Sequence, residues 1–241
     1  MSKPKVYAAL ATIPQRKRTL KKVVSSLMPQ VDKVFIYFNG HDRVPSWVKE
    51  DDKIEYAMSR DHGDLGDVGK FFWCQDYDGV FFTCDDDIVY PDDYVKSTVS
   101  FLERFKFNVV GTLHGATINR GATQYHAGKK LYSLKSTQPV SKQVHIGGTG
   151  CMAFHTDTIR PELEWFKLSN MADIWIGERC QQLRIPIIMK AHEGFRFKLL
   201  ENKVSIFDST HSNDGTDRDR AQVSNEIVKR TQWAFPPVLA R

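Results

Sequence analysis

The chain has 241 residues, 41% of them hydrophobic and 26% charged, which excludes disordered, fibrous and collagen-like classes. A chain of this length can bury roughly 75% of its unfolded surface, so one sizeable core is expected. The net charge of +5 is spread out, apart from Arg16-Lys17-Arg18 and Lys21-Lys22, and falls short of a nucleic-acid footprint. The four cysteines, Cys74, Cys84, Cys151 and Cys180, have no metal or redox spacing and read as reduced residues of the interior. Met1 to Lys5 has no secretory character, and no apolar run approaches the roughly 18 residues of a membrane span. The expectation is a soluble, cytoplasmic protein with no nucleic-acid partner and no transmembrane segment.

Val6 to Leu10 reads as a buried strand, broken at Ala11-Thr12-Ile13-Pro14 because proline and its predecessor resist helix. Leu20, Val23, Val24 and Leu27 recur at helical spacing. KVFIYF, residues 33–38, is a second strand stopped by Asn39-Gly40, and Lys53 to Ala57 a short third. Val68 to Asp76 reads as a helix feeding a strand over Gly79 to Cys84. Pro91 suits the start of a helix, which puts Asp92 and Asp93 in its first turn, where carboxylates meet the positive dipole end. Asn108 to Thr112 is a further strand, residues 114–143 read as a variable loop or hairpin region, and HIGGTG at 145–150 as a glycine-rich connection to Cys151-Met152-Ala153-Phe154. Asp173 to Leu183 reads as a helix and Pro186 to Met189 as the last core strand. Residues 208–220 are almost devoid of apolar side chains and read as a mobile loop, before a closing helix over Gln222 to Thr231.

Alternation of strand and helix argues for an α/β fold with a mostly parallel central sheet flanked by helices. Ligands of such sheets bind beyond the carboxyl ends of the strands, so the loops at Ala11 to Arg16, Asn39 to His41 and Asp85 to Asp87 belong together. Three adjacent carboxylates repel one another, at roughly 4 kcal/mol per pair for a separation of about 4 Å and an effective dielectric near 20. A divalent cation removes the conflict, and an oxygen-only donor set suits Mg²⁺ or Mn²⁺. Continued strand alternation puts Asp85 and Asp87 on one side, to share a metal or nucleotide site, and Asp86 on the other, bracing its neighbours. The glycine and spacing of a helix-loop-helix calcium site are missing. A solvated acidic turn is the plain alternative.

FFTCDDDIVYPDDYV resembles the Asp-x-Asp region of the GT-A-fold, nucleotide-sugar-dependent glycosyltransferases, family 2-like and metal-dependent. ALATIPQR resembles their first strand and nucleotide loop, VFIYFNG the second strand, and GDLGDVGKF the segment ahead of the metal motif. GGTGCMAF and MADIWIGERCQQLRIPII resemble the acceptor loop and the catalytic-base helix, so the likeness runs in order over about residues 5–190. It implies a single GT-A-type, Rossmann-like domain over 1–200, with a nucleotide-sugar half at 1–112 and an acceptor half at 113–200. Residues 201–241 would pack on it as a loop and helix. The implied reaction moves a sugar from a nucleoside-diphosphate donor, a UDP-sugar by preference, to a glycan or other hydroxyl acceptor, by single displacement with inversion.

The implied roles follow the matched positions. Thr12, Arg16, Asn39, Asp64, Lys70, Asp85 and Asp86 fall on the donor side, and Asp85 and Asp87 hold the metal. A late histidine completes the metal set, His211 in preference to His192. Asp173 is the general base, and His145, Gly148, Thr149 and Trp175 lie towards the acceptor, with His114 a further candidate there. Alternatives stay open: Arg16 as an exposed helix-start residue, Asn39 as a plain turn, and Asp67 and Asp173 as helix caps. Two rival functions share these features. A nucleotidyl- or phosphotransferase also wants strand-end aspartates and Mg²⁺, although ALATIPQR has neither a nucleophilic aspartate nor a glycine-rich loop. A noncatalytic nucleotide- or carbohydrate-binding module is the other.

Overall fold

The computed structural model describes residues 3–200 and 216–238. In chain order the elements are β1 (Val6–Thr12), α1 (Lys17–Leu27), β2 (Lys33–Phe38), the one-turn α2 (Ser46–Lys49), β3 (Ile54–Met58) and the one-turn α3 (Ser59–His62). There follow β4 (Val80–Cys84), β5 (Ile88–Val89), α4 (Tyr94–Glu103), β6 (Val110–Thr112), β7 (Gly115–Ile118), β8 (Lys129–Tyr132), β9 (Lys142–Val144), β10 (Ile146–Gly147) and β11 (Cys151–His155). The chain continues through α5 (Ala172–Leu183), β12 (Ile187–Met189), β13 (Lys198–Leu199) and α6 (Thr216–Arg230).

Eight strands form the central sheet in the order β3-β2-β1-β4-β11-β6-β12-β9. Four neighbouring pairs are parallel, and the three antiparallel ones involve β11 and the edge strand β9, so the sheet is mostly parallel as expected. From β1 the chain first builds outward through β2 and β3, then returns to place β4 on the other side. That reversal opens a crevice at the carboxyl ends of β1 and β4. Residues on either side of position 112 share this one sheet.

The strand runs are nearly all apolar because both faces are covered. On β2, Val34, Ile36 and Phe38 pack with Leu20, Val24 and Leu27 of α1, while Phe35 and Tyr37 point to the opposite layer. There Phe35 stacks on Trp73 at 4.9 Å and on Phe81 at 5.8 Å, and Phe81 stacks on Phe154 at 6.2 Å. All four cysteines are buried and free. Among the described residues no helix is long and apolar enough to cross a membrane.

Several local expectations are corrected. The helix predicted over Val68 to Asp76 is a 3₁₀ helix, Gly66–Phe71, followed by turns. Gly69 lies flat against Tyr37, where a Cβ would fall 2.7 Å from the ring, and Gly66 has φ +53°, so the segment follows the sheet surface instead of coiling away from it. Asp92 and Asp93 precede α4 instead of filling its first turn; Asp93 pairs with Arg196 Nη2 at 2.6 Å. Of the two alternatives for residues 114–143, loop or hairpin, the hairpin holds: β7 and β8 pair antiparallel, and β7 also joins β10 in a three-stranded sheet. Of the polar run 208–220, residues 208–215 lie outside the described residues and 216–220 are the start of α6.

Helix α6 is fastened to α5 by one charged fork. Glu178, 7% exposed, accepts hydrogen bonds from Arg230 Nε at 2.7 Å, Arg230 Nη2 at 2.8 Å and Thr231 Oγ1 at 3.2 Å. Arg230→Ala leaves that carboxylate buried beside a single hydroxyl donor. Because Arg230 itself is half exposed, the expected cost is about 1–3 kcal/mol. Denaturant unfolding checks this, and Arg230→Lys should recover only part of the loss because one ammonium cannot reproduce the fork.

Candidate active site

At the carboxyl ends of β1, β2 and β4 lies a cleft of about 920 Å³. It gathers Thr12, Arg16, Asn39, Lys70, Asp85, Asp86 and Asp87 on one side, and Gly148, Thr149 and Asp173 on another. Strand β4 ends at Cys84, and Asp86-Asp87 form a turn, so strand alternation does not sort the three carboxylates. Their partners do. Asp86, 5% exposed, accepts a hydrogen bond from Thr12 Oγ1 at 2.6 Å and has Arg16 Nη1 at 3.8 Å. Asp87 pairs with Arg16 through Oδ2, and Asp85 pairs with Lys70 through Oδ1.

Both cations are themselves buried. Arg16 is carried inward by the 3₁₀ turn Pro14–Arg16, which begins where Pro14 stops β1, so it is not an exposed helix-start residue. Lys70 comes from the 3₁₀ helix packed on the sheet. Burial draws the Lys70 ammonium towards neutrality, but Asp85 and Asp67 outweigh this and hold it firmly protonated. The Tyr90 hydroxyl accepts from the Asp85 amide at 2.8 Å and donates to the Gly150 carbonyl, fixing the strand end to the glycine-rich connection. At Gly150 a Cβ would fall 2.0 Å from Asp85 Oδ2, so this glycine is what lets the carboxylate lie where it does.

Burial is the largest influence on Asp86 and pushes its carboxyl up to about 7; Thr12 and Arg16 pull it down, while Asp87 and Asp85 add to the rise. Asp67 is likewise raised to about 6, first by burial, against Lys70 and the backbone donor of Ala172. Asp67 does not cap the helix that follows it. Its two oxygens accept the amides of Asn170 at 2.7 Å and Ala172 at 3.0 Å, which seats the start of α5 on the floor of the cleft.

Asp173 lies in the first turn of α5, but the N-cap position is Met171. Its Oδ1 accepts both the amide of Thr149 at 2.8 Å and the Thr149 hydroxyl at 2.7 Å, and no hydrogen bond to Oδ2 is made by the described residues. One oxygen is thus fixed, and the other accepts from no described residue. Gly148 is pressed against His114, where a Cβ would approach Cδ2 to 2.9 Å, and His114 lines the cleft.

The remaining expected residues take other places. Asn39 lines the cleft, but its amide is spent on the backbone of Leu65 at 3.1 Å and Gly66 at 2.9 Å, anchoring the Gly66–Phe71 turn. Asp64 is exposed, does not line the cleft, and accepts from the Gly66 amide. His145 is buried beneath Phe235, 4.4 Å between rings, with Nδ1 accepting the Ile118 amide, and Trp175 donates to the Leu168 carbonyl under α6; neither lines the cleft. His192 borders a separate cavity of about 50 Å³. His211 lies outside the described residues, and among these no three His, Cys, Asp or Glu side chains form a metal-sized cluster.

The cleft also contains residues that the sequence did not single out: Tyr125, Lys129 and Lys135 from the β7–β8 region, and Arg218 from α6. The Lys129 ammonium sits 3.4 Å from the Tyr125 ring centroid. Burial lowers it to about 8, against the pull of Asp173. KKLY has no period-2 alternation, and nothing local indicated the face that meets the cleft.

No protein-family model matches the chain, and no curated protein matches it in sequence. Among solved structures the chain is similar to the mannosyltransferase PcManGT from Pyrobaculum calidifontis, in complex with GDP-Man and Mn²⁺. The likeness covers 99% of this chain and 68% of that one, with 12% identity and a TM-score of 0.55. At such identity the likeness is one of fold: the chain has the α/β fold of a glycosyltransferase.

Asp86 gives a direct test of the electrostatics. The folded state retains its proton up to about pH 7 while an unfolded carboxyl releases it near 3.8, so stability is lost as pH rises through that window. Asp86→Asn, which can still accept from Thr12, should therefore gain on the wild type between about pH 4 and about pH 8. Unfolding in denaturant across that range measures the difference, and one that does not change with pH contradicts the assignment.

Proposed function

We propose that the protein transfers a sugar from a nucleoside-diphosphate donor to a hydroxyl acceptor, assisted by a divalent cation and with inversion at the anomeric carbon. The observation that carries the reading is the single cleft in which Asp85 and Asp87, clamped by Lys70 and Arg16, lie together with Asp173 of α5. The donor set fits a hard cation: both groups are carboxylates, and among the described residues each has one oxygen engaged by a protein cation and the other not. Gly150 leaves space for Asp85 Oδ2 in that position. Mn²⁺ or Mg²⁺ held by Asp85 and Asp87 would neutralise the charge that develops on the departing diphosphate.

The chain's own groups supply the rest. Arg16 and Lys70 put fixed positive charge where the diphosphate leaves, and they are preorganised by burial. Thr12 and Asp86 hold Arg16 in that position. Thr149 fixes Asp173 Oδ1, so Oδ2 is the atom that takes the acceptor hydroxyl proton. The acceptor oxygen, giving its proton to Oδ2, bonds to the anomeric carbon as the bond from that carbon to the β-phosphate oxygen breaks, and the nucleoside diphosphate leaves with that electron pair. A single base, Asp173, on the acceptor side supports a single displacement. UDP is the nucleotide expected from the family likeness, and GDP-mannose is the donor bound by the solved neighbour.

The test is a panel of UDP- and GDP-sugars with Mn²⁺, read as nucleoside diphosphate release. Release should require the metal and fall by about 10²- to 10⁴-fold in Asp173→Asn, with nucleoside diphosphate affinity retained. Asp87→Asn should lose both turnover and metal-dependent nucleotide binding. Pyrophosphate or nucleoside monophosphate as product identifies a nucleotidyl- or phosphotransferase, and tight donor binding without turnover identifies a binding module.

A further inference from the structure

The cations of the cleft fall into two sets. Arg16 and Lys70 are each paired with an aspartate. A second set lines the cleft from the β7–β8 region and α6, and includes Lys129, Lys135 and Arg218. Among the described residues these three make no salt bridge, and no Asp or Glu from 114–135 or 218–224 lines the cleft. The two segments form one wall, because Asn225 Oδ1 of α6 accepts the Tyr125 amide at 2.7 Å. Lys129 is partly buried, with its ammonium on the Tyr125 ring and within the field of Asp173.

A half-buried ammonium with no ion pair to any described residue, offset only by the more distant Asp173, is costly unless a ligand supplies an anion. The donor diphosphate already has Arg16, Lys70 and the cation bound to the aspartates. The second wall adjoins the carboxylate that receives the acceptor proton. We propose that this wall, with Lys129 at its centre, selects an acceptor bearing an anionic group, a carboxylate or a phosphate, near the hydroxyl that is glycosylated. The inference rests on the glycosyl-transfer reading above. It adds that a neutral sugar lacking such a group is a poor acceptor, because it leaves Lys129 unpaired.

Three probes test it on the full chain with saturating Mn²⁺ and either UDP or GDP, whichever binds: p-nitrophenyl β-glucoside, its 6-carboxylate and its 6-phosphate. Binding is followed by ligand-observed NMR titration. At least one charged probe should bind about 10-fold or more tightly than the neutral one, and the tighter of the two charged forms identifies the anion. The preference should collapse in Lys129→Gln and return in Lys129→Arg, with nucleoside diphosphate affinity unchanged in both; a purely structural role for Lys129 would not follow charge in this way. Equal affinity for the three probes, including no measurable binding of any, overturns the proposal. So does a Lys129→Gln variant that loses nucleoside diphosphate affinity, since the wall would then serve the donor. Failure of the wild type to bind either nucleotide removes the donor reading, and this inference with it.

Discussion

Three consecutive carboxylates at the end of β4 are held together by two buried cations that come from elsewhere in the chain. Burial keeps a proton on Asp86 up to about pH 7, and Arg16 and Lys70 offset the charges of Asp87 and Asp85; an uncompensated pair of like charges costs roughly 4 kcal/mol at about 4 Å in a medium of effective dielectric near 20. Arg16 arrives from the end of β1 and Lys70 from the 3₁₀ helix laid across the sheet. The site therefore depends on the fold in a definite way. The reversal of strand order between β1 and β4 brings the Arg16 turn beside the aspartates, and the close packing of Gly69 on Tyr37 brings Lys70.

The same economy of anchoring runs through the acceptor side. Asp67, next to the Lys70 segment, accepts the amides that begin α5, and α5 carries Asp173. Tyr90, just after the aspartates, bonds the Gly150 carbonyl, and Thr149 beside it fixes Asp173. The aspartates after β4 and Asp173 are thus joined by short hydrogen-bonded links and not by one continuous element. In the proposed reaction such links would keep the groups in fixed relation, and among the described residues one oxygen each of Asp85, Asp87 and Asp173 has no donor.

The parts of this arrangement that were legible in the sequence are those with strong local signals. The apolar run KVFIYF is bounded by turn residues and coincides with β2, and the period of Leu20, Val23, Val24 and Leu27 marks α1. The aspartate triplet is conspicuous because its charge interrupts an apolar strand. Less was legible where contacts are remote in sequence. Asp67 looks like a local cap, yet its partners are more than a hundred positions away. His145, in a glycine-rich segment, looked like a cleft residue but is covered by Phe235 from beyond α6. Strands β7 and β8 are short, and β8 is only partly buried, so hydrophobic alternation was too weak to separate the hairpin that carries Lys129 from a plain loop. Alternation also misled at Asp85 to Asp87, where the strand had already ended.

The claim that Asp85 and Asp87 hold a divalent cation on a nucleoside diphosphate is tested most directly by Mn²⁺ electron paramagnetic resonance. Titrating the protein into Mn²⁺ with UDP or GDP should quench the free-ion signal cooperatively, so that metal and nucleotide each tighten the other. Asp87→Asn should abolish that coupling and Asp173→Asn should leave it intact. Quenching that is independent of nucleotide, or that survives in Asp87→Asn, contradicts the account.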